Sequence, residues 1–487
     1  MSPTDQHHHN RRWTILALLG IAQLMVVLDA TIVNIALPSA QDALGFPDES
    51  RQWIVTAYAL SFGSLLLLGG KLGDLFGRKW TFIGGLLGFA VASAAGGMAD
   101  SFGVLVAARA AQGAFAAVLA PSALALLTTT FTEPGERAKA FGIFGAIAGG
   151  GAAIGLLLGG ILTEYLSWRW CLYVNLLFAL PAAVGAFRLL RNPARTERPR
   201  LDLLGTALAT SGLFLLVFGF SHAETDGWSD PVTLATLAGG LVALVAFVAW
   251  QRRAAHPLLP LRVVLDRNRG GSYLAMGIAG AGMFGVFLFL TYFLQRNLGF
   301  SPIQSGLAFL PLSFVIILTA TIGQTKLVPR YGPRPLMTLG MLLAAGAMVM
   351  LAQLDTSSTY TGNVLPSLIL QALGMGLIFS PAFATATAGV RPTDAGVASA
   401  MVNTSQQVGG SIGTAFLSTM ASSATAGFLA DQGGGQSAAA AAAIHGFTTA
   451  FWWSAGIFAL GAFVVALVIR GGAPATAPAG EPVLAHS

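Results

Sequence analysis

Asp29 lies in the run Leu28-Asp29-Ala30-Thr31-Ile32-Val33-Asn34-Ile35-Ala36-Leu37-Pro38, a carboxylate inside an apolar stretch that begins at Trp13. A charge at that depth in hydrocarbon costs several kcal/mol unless it is protonated, paired or facing a wet cavity, so proton exchange is the chemistry it suggests. A packing acid satisfied by a neighbouring helix is the competing reading. Arg109 is the partner the sequence offers. It follows Phe102 by seven residues, roughly 10 Å below the outer end of its own apolar segment, while Asp29 precedes Pro38 by nine, roughly 13 Å below the end of its helix. Low dielectric favours a protonated carboxyl and a nearby guanidinium favours an ionised one. A change around Asp29 and Arg109, direct or through Gln112, would therefore decide whether a proton is held. A purely structural ion pair is the alternative for Arg109.

Other polar side chains in apolar segments are candidates for binding a substrate. They are Asn34, Tyr58, Gln112 and Asn175 in the first part of the chain, and Tyr292, Gln295, Gln371, Asn403, Gln406 and Gln407 in the second. Asn403, Gln406 and Gln407 share a helix face at spacings of three and four. Large apolar pockets with few polar groups suit hydrophobic compounds, and Met and Phe walls can repack around them. Each of these side chains can equally hold helices together. No His, Cys or carboxylate cluster lies in the apolar segments, so neither a metal site nor an enzymatic nucleophile with its base is expected. His7, His8 and His9 read as a solvated tail. A phosphate-cradling loop is missing too, which argues against an ATP-driven pump, and no cofactor is expected.

The elements that must position these groups follow from composition. Of 487 residues, 55% are hydrophobic and 9% charged, against about 25% charged in a soluble domain. This is an all-α polytopic membrane protein. The single cysteine, Cys171, excludes an internal disulfide. The net charge of +6 is scattered through short loops, so no nucleic-acid partner is expected. Helices need about 20 apolar residues to span the bilayer, and on that rule fourteen segments run from Trp13–Pro38 to Gly446–Ile469. With the amino terminus cytoplasmic, all but Arg51, Arg109, Arg169 and Arg296 of the 26 basic residues fall on the inner side, as the positive-inside rule requires. Both termini are then cytoplasmic, with the protein in the inner (cytoplasmic) membrane.

The two longest basic linkers bracket the seventh and eighth spans, which divides the chain into a cytoplasmic tail (1–12), a six-helix half (13–190), linkers with an accessory two-helix hairpin (191–270), a second six-helix half (271–470) and a disordered cytoplasmic tail (471–487). Transporters are commonly built from such halves around a midplane site. The seventh span is almost wholly apolar, so the hairpin is expected to face lipid.

The run from Leu28 to Pro38 resembles the first-helix signature of the fourteen-span drug:proton antiporters (EmrB/QacA type) of the major facilitator superfamily. Gly70-Lys71-Leu72-Gly73-Asp74-Leu75-Phe76-Gly77-Arg78-Lys79 is similar to the superfamily's loop between spans two and three, and Leu105 to Ala117 to its fourth-helix signature. Ser167-Trp168-Arg169-Trp170 with Asn175, Leu298 to Pro311, and Asn403 to Gly410 resemble the same family. The likeness covers nearly the whole chain. It implies a major facilitator fold and proton-coupled efflux of hydrophobic or cationic drugs, with Asp29 and Arg109 in proton coupling. Proton-linked movement of a neutral or anionic metabolite or a lipid is the alternative. Partners would be a small hydrophobic substrate, protons and the bilayer, the protein acting as a monomer.

Three positions depart from the pattern: Leu156 and Leu177 stand where prolines are usual, and Leu75 where arginine is common. Gly151, Gly155, Gly159 and Gly160 remain, and small residues four apart let helices approach closely. The loop carrying Gly70, Gly73, Asp74, Gly77 and Arg78 reads as a conformational latch of the outward-open state: Asp74 facing a helix N-terminus of the opposite half, Arg78 pairing with Glu133 or Glu136. Lys326 to Arg334 is its degenerate counterpart.

Overall fold

A computed structural model describes residues 3–46, 52–191, 201–432 and 436–470. The side chain of Asn34 lies outside those described, as do the 471–487 tail and most of the 191–200 linker. The described chain is all helix. In order these are α1 (Pro3–Leu44), α2 (Gln52–Phe76), α3 (Arg78–Gly97), α4 (Phe102–Thr130), α5 (Pro134–Tyr165), α6 (Trp170–Leu189), α7 (Leu203–Asp226), α8 (Pro231–Gln251), α9 (Leu261–Val264), α10 (Arg267–Tyr292), α11 (Pro302–Ala308), α12 (Leu310–Ile322), α13 (Val328–Tyr331), α14 (Pro333–Leu351), α15 (Leu365–Ala386), α16 (Ala395–Gln432) and α17 (Gln436–Val468).

Among the described residues, 12 helices are long and apolar enough to cross a membrane. Outside that count, α5 holds a shorter apolar stretch, Ile154–Tyr165. The 38-residue α16 is diluted by Asn403, Thr404, Ser405, Gln406 and Gln407.

Polar residues between the spans start the helices. Asp230 accepts from the N–H groups of Val232 and Thr233 with Pro231 in the first turn of α8, Asp266 does the same for Asn268 and Arg269 of α10, and Ser301 and Gln304 form a capping box on α11. These side chains satisfy N–H groups that a helix leaves without partners. Gly77 and Gly332 adopt φ of 91° and 80° just before α3 and α14, a conformation that only glycine enters cheaply. They occupy matching places in the two halves, as do the internal prolines Pro121 of α4 and Pro381 of α15.

The halves meet along two seams. At one, α5 packs on α11, α12 and α15; at the other, α16 packs on α2 and α4. Glycine makes the contacts close: a Cβ on Gly145 would lie 2.8 Å from Ser380 Cα, and one on Gly306 would lie 2.9 Å from Leu157 Cα.

The hairpin departs from the lipid-facing expectation. Along α8, Leu234, Leu241, Val242 and Val245 are more than half exposed, as lipid contact requires. In contrast, α7 packs on both α2 and α16 and so lies across the second seam. Ala209, Leu213 and Val217 are buried there. Near its C-terminal end, the Ser221 and Thr56 hydroxyls are 3.2 Å apart, and Trp228 in the turn between α7 and α8 donates to Thr419 Oγ1 of α16 at 2.7 Å. At the N-terminal end of α7, Asp202 accepts from Gly205 N–H, Trp250 Nε1 and Gln251 Nε2. Burial alone would raise this carboxyl, but those donors hold it below the usual carboxylate range.

Candidate functional site

Asp29 sits midway along α1 with none of its surface exposed, and Arg109 of α4 is 1% exposed. Arg109 Nη1 donates to Asp29 Oδ2 at 2.6 Å. The other carboxylate oxygen accepts from Gln112 Nε2 at 3.1 Å and from Asn175 Nδ2 of α6 at 2.8 Å. Three donors from two helices thus converge on one acid. An unpartnered buried carboxylate costs several kcal/mol, and these donors supply the partners.

The cation is held as thoroughly as the anion. Arg109 Nη1 also donates to Gln112 Oε1 at 3.0 Å, Nε reaches the Ile54 carbonyl at 3.4 Å, and the guanidinium carbon lies 4.4 Å from the centre of the Tyr58 ring on α2. Three of these partners, an amide oxygen, a carbonyl and an aromatic face, are neutral, so their attraction for the guanidinium does not rest on a charge of their own. Toward the C-terminal end of α1 and the N-terminal ends of α2, α4 and α6, a cavity of about 10 Å³ lies against Arg109, walled by Ala36, Ile54, Leu105, Trp168 and Cys171. That is about the volume of one water probe.

The sequence-level candidates separate into two groups. Tyr58, Gln112 and Asn175, expected to meet substrate, are buried and clustered with Asp29 and Arg109. The second-half positions lie on three helices. Tyr292, 40% exposed at the end of α10, stacks on Phe447 of α17, and Gln295 falls in the wide helical turn Phe293–Asn297 that follows. Gln371 of α15 is buried, and neither end of its amide has a hydrogen-bond partner among the described residues. On α16, Asn403 donates to its own helix at Ser399 O. Gln406 is half-buried, and Gln407 lies against Gly63 of α2. Sequence reasoning missed Ser93 of α3, which is fully buried and bonded to both Gln112 and Asn175.

The glycines of α5 set the position of α1. Cβ atoms on Gly155 and Gly159 would each lie 2.9 Å from a carbonyl oxygen of α1, on Leu28 and Ile32, and one on Gly151 would lie 3.0 Å from Val27. Gly160 instead faces Ile303 of the second half. Leu156 leaves α5 unbroken from Pro134 to Tyr165, and Leu177 is 66% exposed on the outside of α6.

Where the end of α2 meets the start of α16 in the second seam, Gly70 and Gly396 touch. A Cβ on Gly396 would lie 2.2 Å from Gly70 O and 3.1 Å from both carboxylate oxygens of Asp74. Asp74 therefore lies against the first turn of α16, where the helix dipole favours an anion. Gly73 lies near Ser122 of α4. The partners expected for Arg78 are different: it reaches Asp74 Oδ1 at 3.5 Å, and Glu136 binds Arg12 at 3.0 Å. Asp74 and Arg78 flank the tight turn at Gly77, which brings them within reach of each other. A contact absent from the sequence reading joins the halves at the other seam. Arg137 of α5 donates to Thr387 O and Oγ1, just past the C-terminus of α15, the helix end that favours a cation.

Similarity to known proteins accords with this arrangement. The family model described as Major Facilitator Superfamily matches residues 19–414. The puromycin resistance protein pur8 of Streptomyces alboniger is 51% identical over 94% of this chain and 92% of its own. The cephamycin export protein CmcT of Amycolatopsis lactamdurans is 42% identical over 85% of this chain and 86% of its own. Among solved structures, the human organic anion transporter MFSD10 (TETRAN) superposes with a TM-score of 0.61 at 17% identity, covering 93% of this chain and 99% of that one, a likeness of fold.

Proposed function

The chain belongs to the Major Facilitator Superfamily, and from that premise we propose that it exports a hydrophobic or cationic antibiotic across the cytoplasmic membrane in exchange for protons, by alternating access. The observation that carries the proton half of this reading is the Asp29 carboxylate, buried in the first half and held at 2.6 Å by Arg109. The names of the relatives, a puromycin resistance protein and a cephamycin export protein, support the drug half.

In this reading Asp29 alternates between two states. Ionised, it is paired with Arg109 and binds α1 to α4. When a proton arrives, the pair is lost, and Arg109 keeps Gln112 Oε1, the Ile54 carbonyl and the Tyr58 ring. In both states the buried guanidinium keeps neutral partners, but only the ionised state of Asp29 gives it a counter-charge. Because α1 also packs on the glycine face of α5, and α5 lines the first seam, a shift of α1 is passed to the contact between the halves. The inner latch, Asp74 and Arg137 against the facing ends of α16 and α15, opens and closes with that contact. Gln371, Asn403, Gln406 and Gln407 remain candidates for the substrate side.

The two long helices outside the apolar count, α5 and α16, are taken to cross the membrane as well. That gives fourteen spans, with α7 and α8 as an inserted hairpin and both termini cytoplasmic. The basic loops support this orientation. The deciding experiment is substrate-driven proton release in proteoliposomes with Asp29→Asn: release should vanish while substrate still binds, and wild-type release in the variant would overturn the assignment.

A further inference from the structure

Ser93 stands at the centre of the polar cluster without touching Asp29 or Arg109. Its hydroxyl donates to the Leu172 carbonyl at 2.7 Å, which commits its hydrogen, and its oxygen accepts from Gln112 Nε2 and from Asn175 Nδ2, each at 3.0 Å. A hydroxyl oxygen has two lone pairs, and both are used here. The same two amide nitrogens donate to Asp29 Oδ1. Each amide nitrogen carries two hydrogens, so each spans from Asp29 to Ser93.

We propose that Ser93 is a positioning residue for proton exchange: it holds Gln112 and Asn175 in place when Asp29 takes up a proton and Oδ1 becomes a poor acceptor. The inference rests on the reading of Asp29 as the proton carrier. With Ser93 present, protonating Asp29 weakens two bonds, and each amide keeps a partner. Without the hydroxyl, both amides depend on Asp29 alone, and neutralising it turns their shared acceptor from a charged oxygen into a weaker carbonyl one. Buried donors held less well are less compensated for their lost hydration, so the ionised state of Asp29 is favoured in the variant and more acid is needed to protonate it. Beside Asp29, the titratable and charged groups around the cluster are Arg109 on α4, Tyr58 on α2 and Cys171 on α6. None of them contacts Ser93 through a hydrogen bond among the described residues, so the effect of Ser93 runs through the two amides.

The test is substrate exchange in proteoliposomes at equal pH on both sides, scanned across pH, for wild type, Ser93→Ala, Ser93→Val and Ser93→Thr. The Ala and Val variants should shift the midpoint toward acid by about one pH unit, and Thr, which keeps the hydroxyl, should restore the wild-type midpoint. Val matches Thr in size and serves should Ala fold poorly. A wild-type midpoint in both Ala and Val, even at reduced rate, overturns the proposal and leaves Ser93 a packing residue. Asp29→Asn is run alongside. If it retains the wild-type midpoint, the reading of Asp29 falls, and the Ser93 proposal with it.

Discussion

The Asp29–Arg109 pair makes a stability prediction that can be separated from transport. Asp29→Asn keeps the shape and the acceptor for Gln112 and Asn175 but turns an amide toward the Arg109 guanidinium and leaves a buried cation on neutral partners. Arg109→Gln leaves the carboxylate with two neutral donors. Breaking one side of a buried pair costs about 3–5 kcal/mol, because the remaining charge is uncompensated. The double variant Asp29→Asn/Arg109→Gln contains no buried charge, and its loss should be about 1–2 kcal/mol, set by imperfect hydrogen bonds alone. The coupling is then about 4–9 kcal/mol, above the range of about 0.5–3 kcal/mol usual for residues in contact. Equilibrium unfolding of the four proteins in one detergent measures it, and proton release in proteoliposomes is measured on the same samples. Stability should return in the double variant while proton-coupled transport stays absent. Additive losses would mean that the two charges do not depend on each other, and coupled transport in the double variant would remove Asp29 from the mechanism.

Three further outcomes are expected. Gly396→Ala places a methyl against Gly70 O and the Asp74 carboxylate, so it should pry open the inner seam; labelling of cysteines placed beside it should increase from the cytoplasmic side, and unchanged labelling would show the contact to be compliant. With Asp29 as the acid of the exchange, one proton is expected per cycle, so a membrane potential without a pH gradient should drive a neutral substrate but not a monocation. Roughly 150 mV supplies about 3.5 kcal/mol per charge, and strong accumulation of a monocation would require a second proton. Asp202 is held below the ordinary carboxylate value, so its contribution is present above about pH 3.9 and is lost as the pH falls below that. Hydrogen exchange in the first turn of α7 should rise on that acid side in wild type and be flat in Asp202→Asn, a modest effect because the group is largely solvated.

Asp29 and Arg109 were legible because a charge among apolar residues has few uses, and helical rise alone placed both at similar depth. Gln112 and Asn175 were legible as buried polar groups but not by role, since an amide in a span can serve a substrate, a helix or an acid. Ser93 gave no signal. A serine in a helix ordinarily bonds the carbonyl four residues back, and only the approach of α3 to α6 gives its hydroxyl the Leu172 carbonyl instead. The side on which α7 packs was also hidden, because a helix apolar all round has no stripe to show which face is covered. Arg137 read as one of many cytoplasmic basic residues. Its bond to Thr387, 250 positions away, depends on how the halves close.

The position of α7 gives the molecule a front and a back within the plane of the membrane. A hydrophobic compound partitions into the bilayer before it meets any transporter, so the walls that face lipid matter as much as the mouth that faces water. At the seam of α2 and α16 such a compound meets α7, tied to one half through Ser221 and to the other through Trp228. At the opposite seam it meets α5, α11 and α12 directly, closed by the glycine contacts of Gly160 and Gly306. The two flanks thus differ: one seam is covered by α7, and the other is closed by α5, α11 and α12 in direct glycine contact.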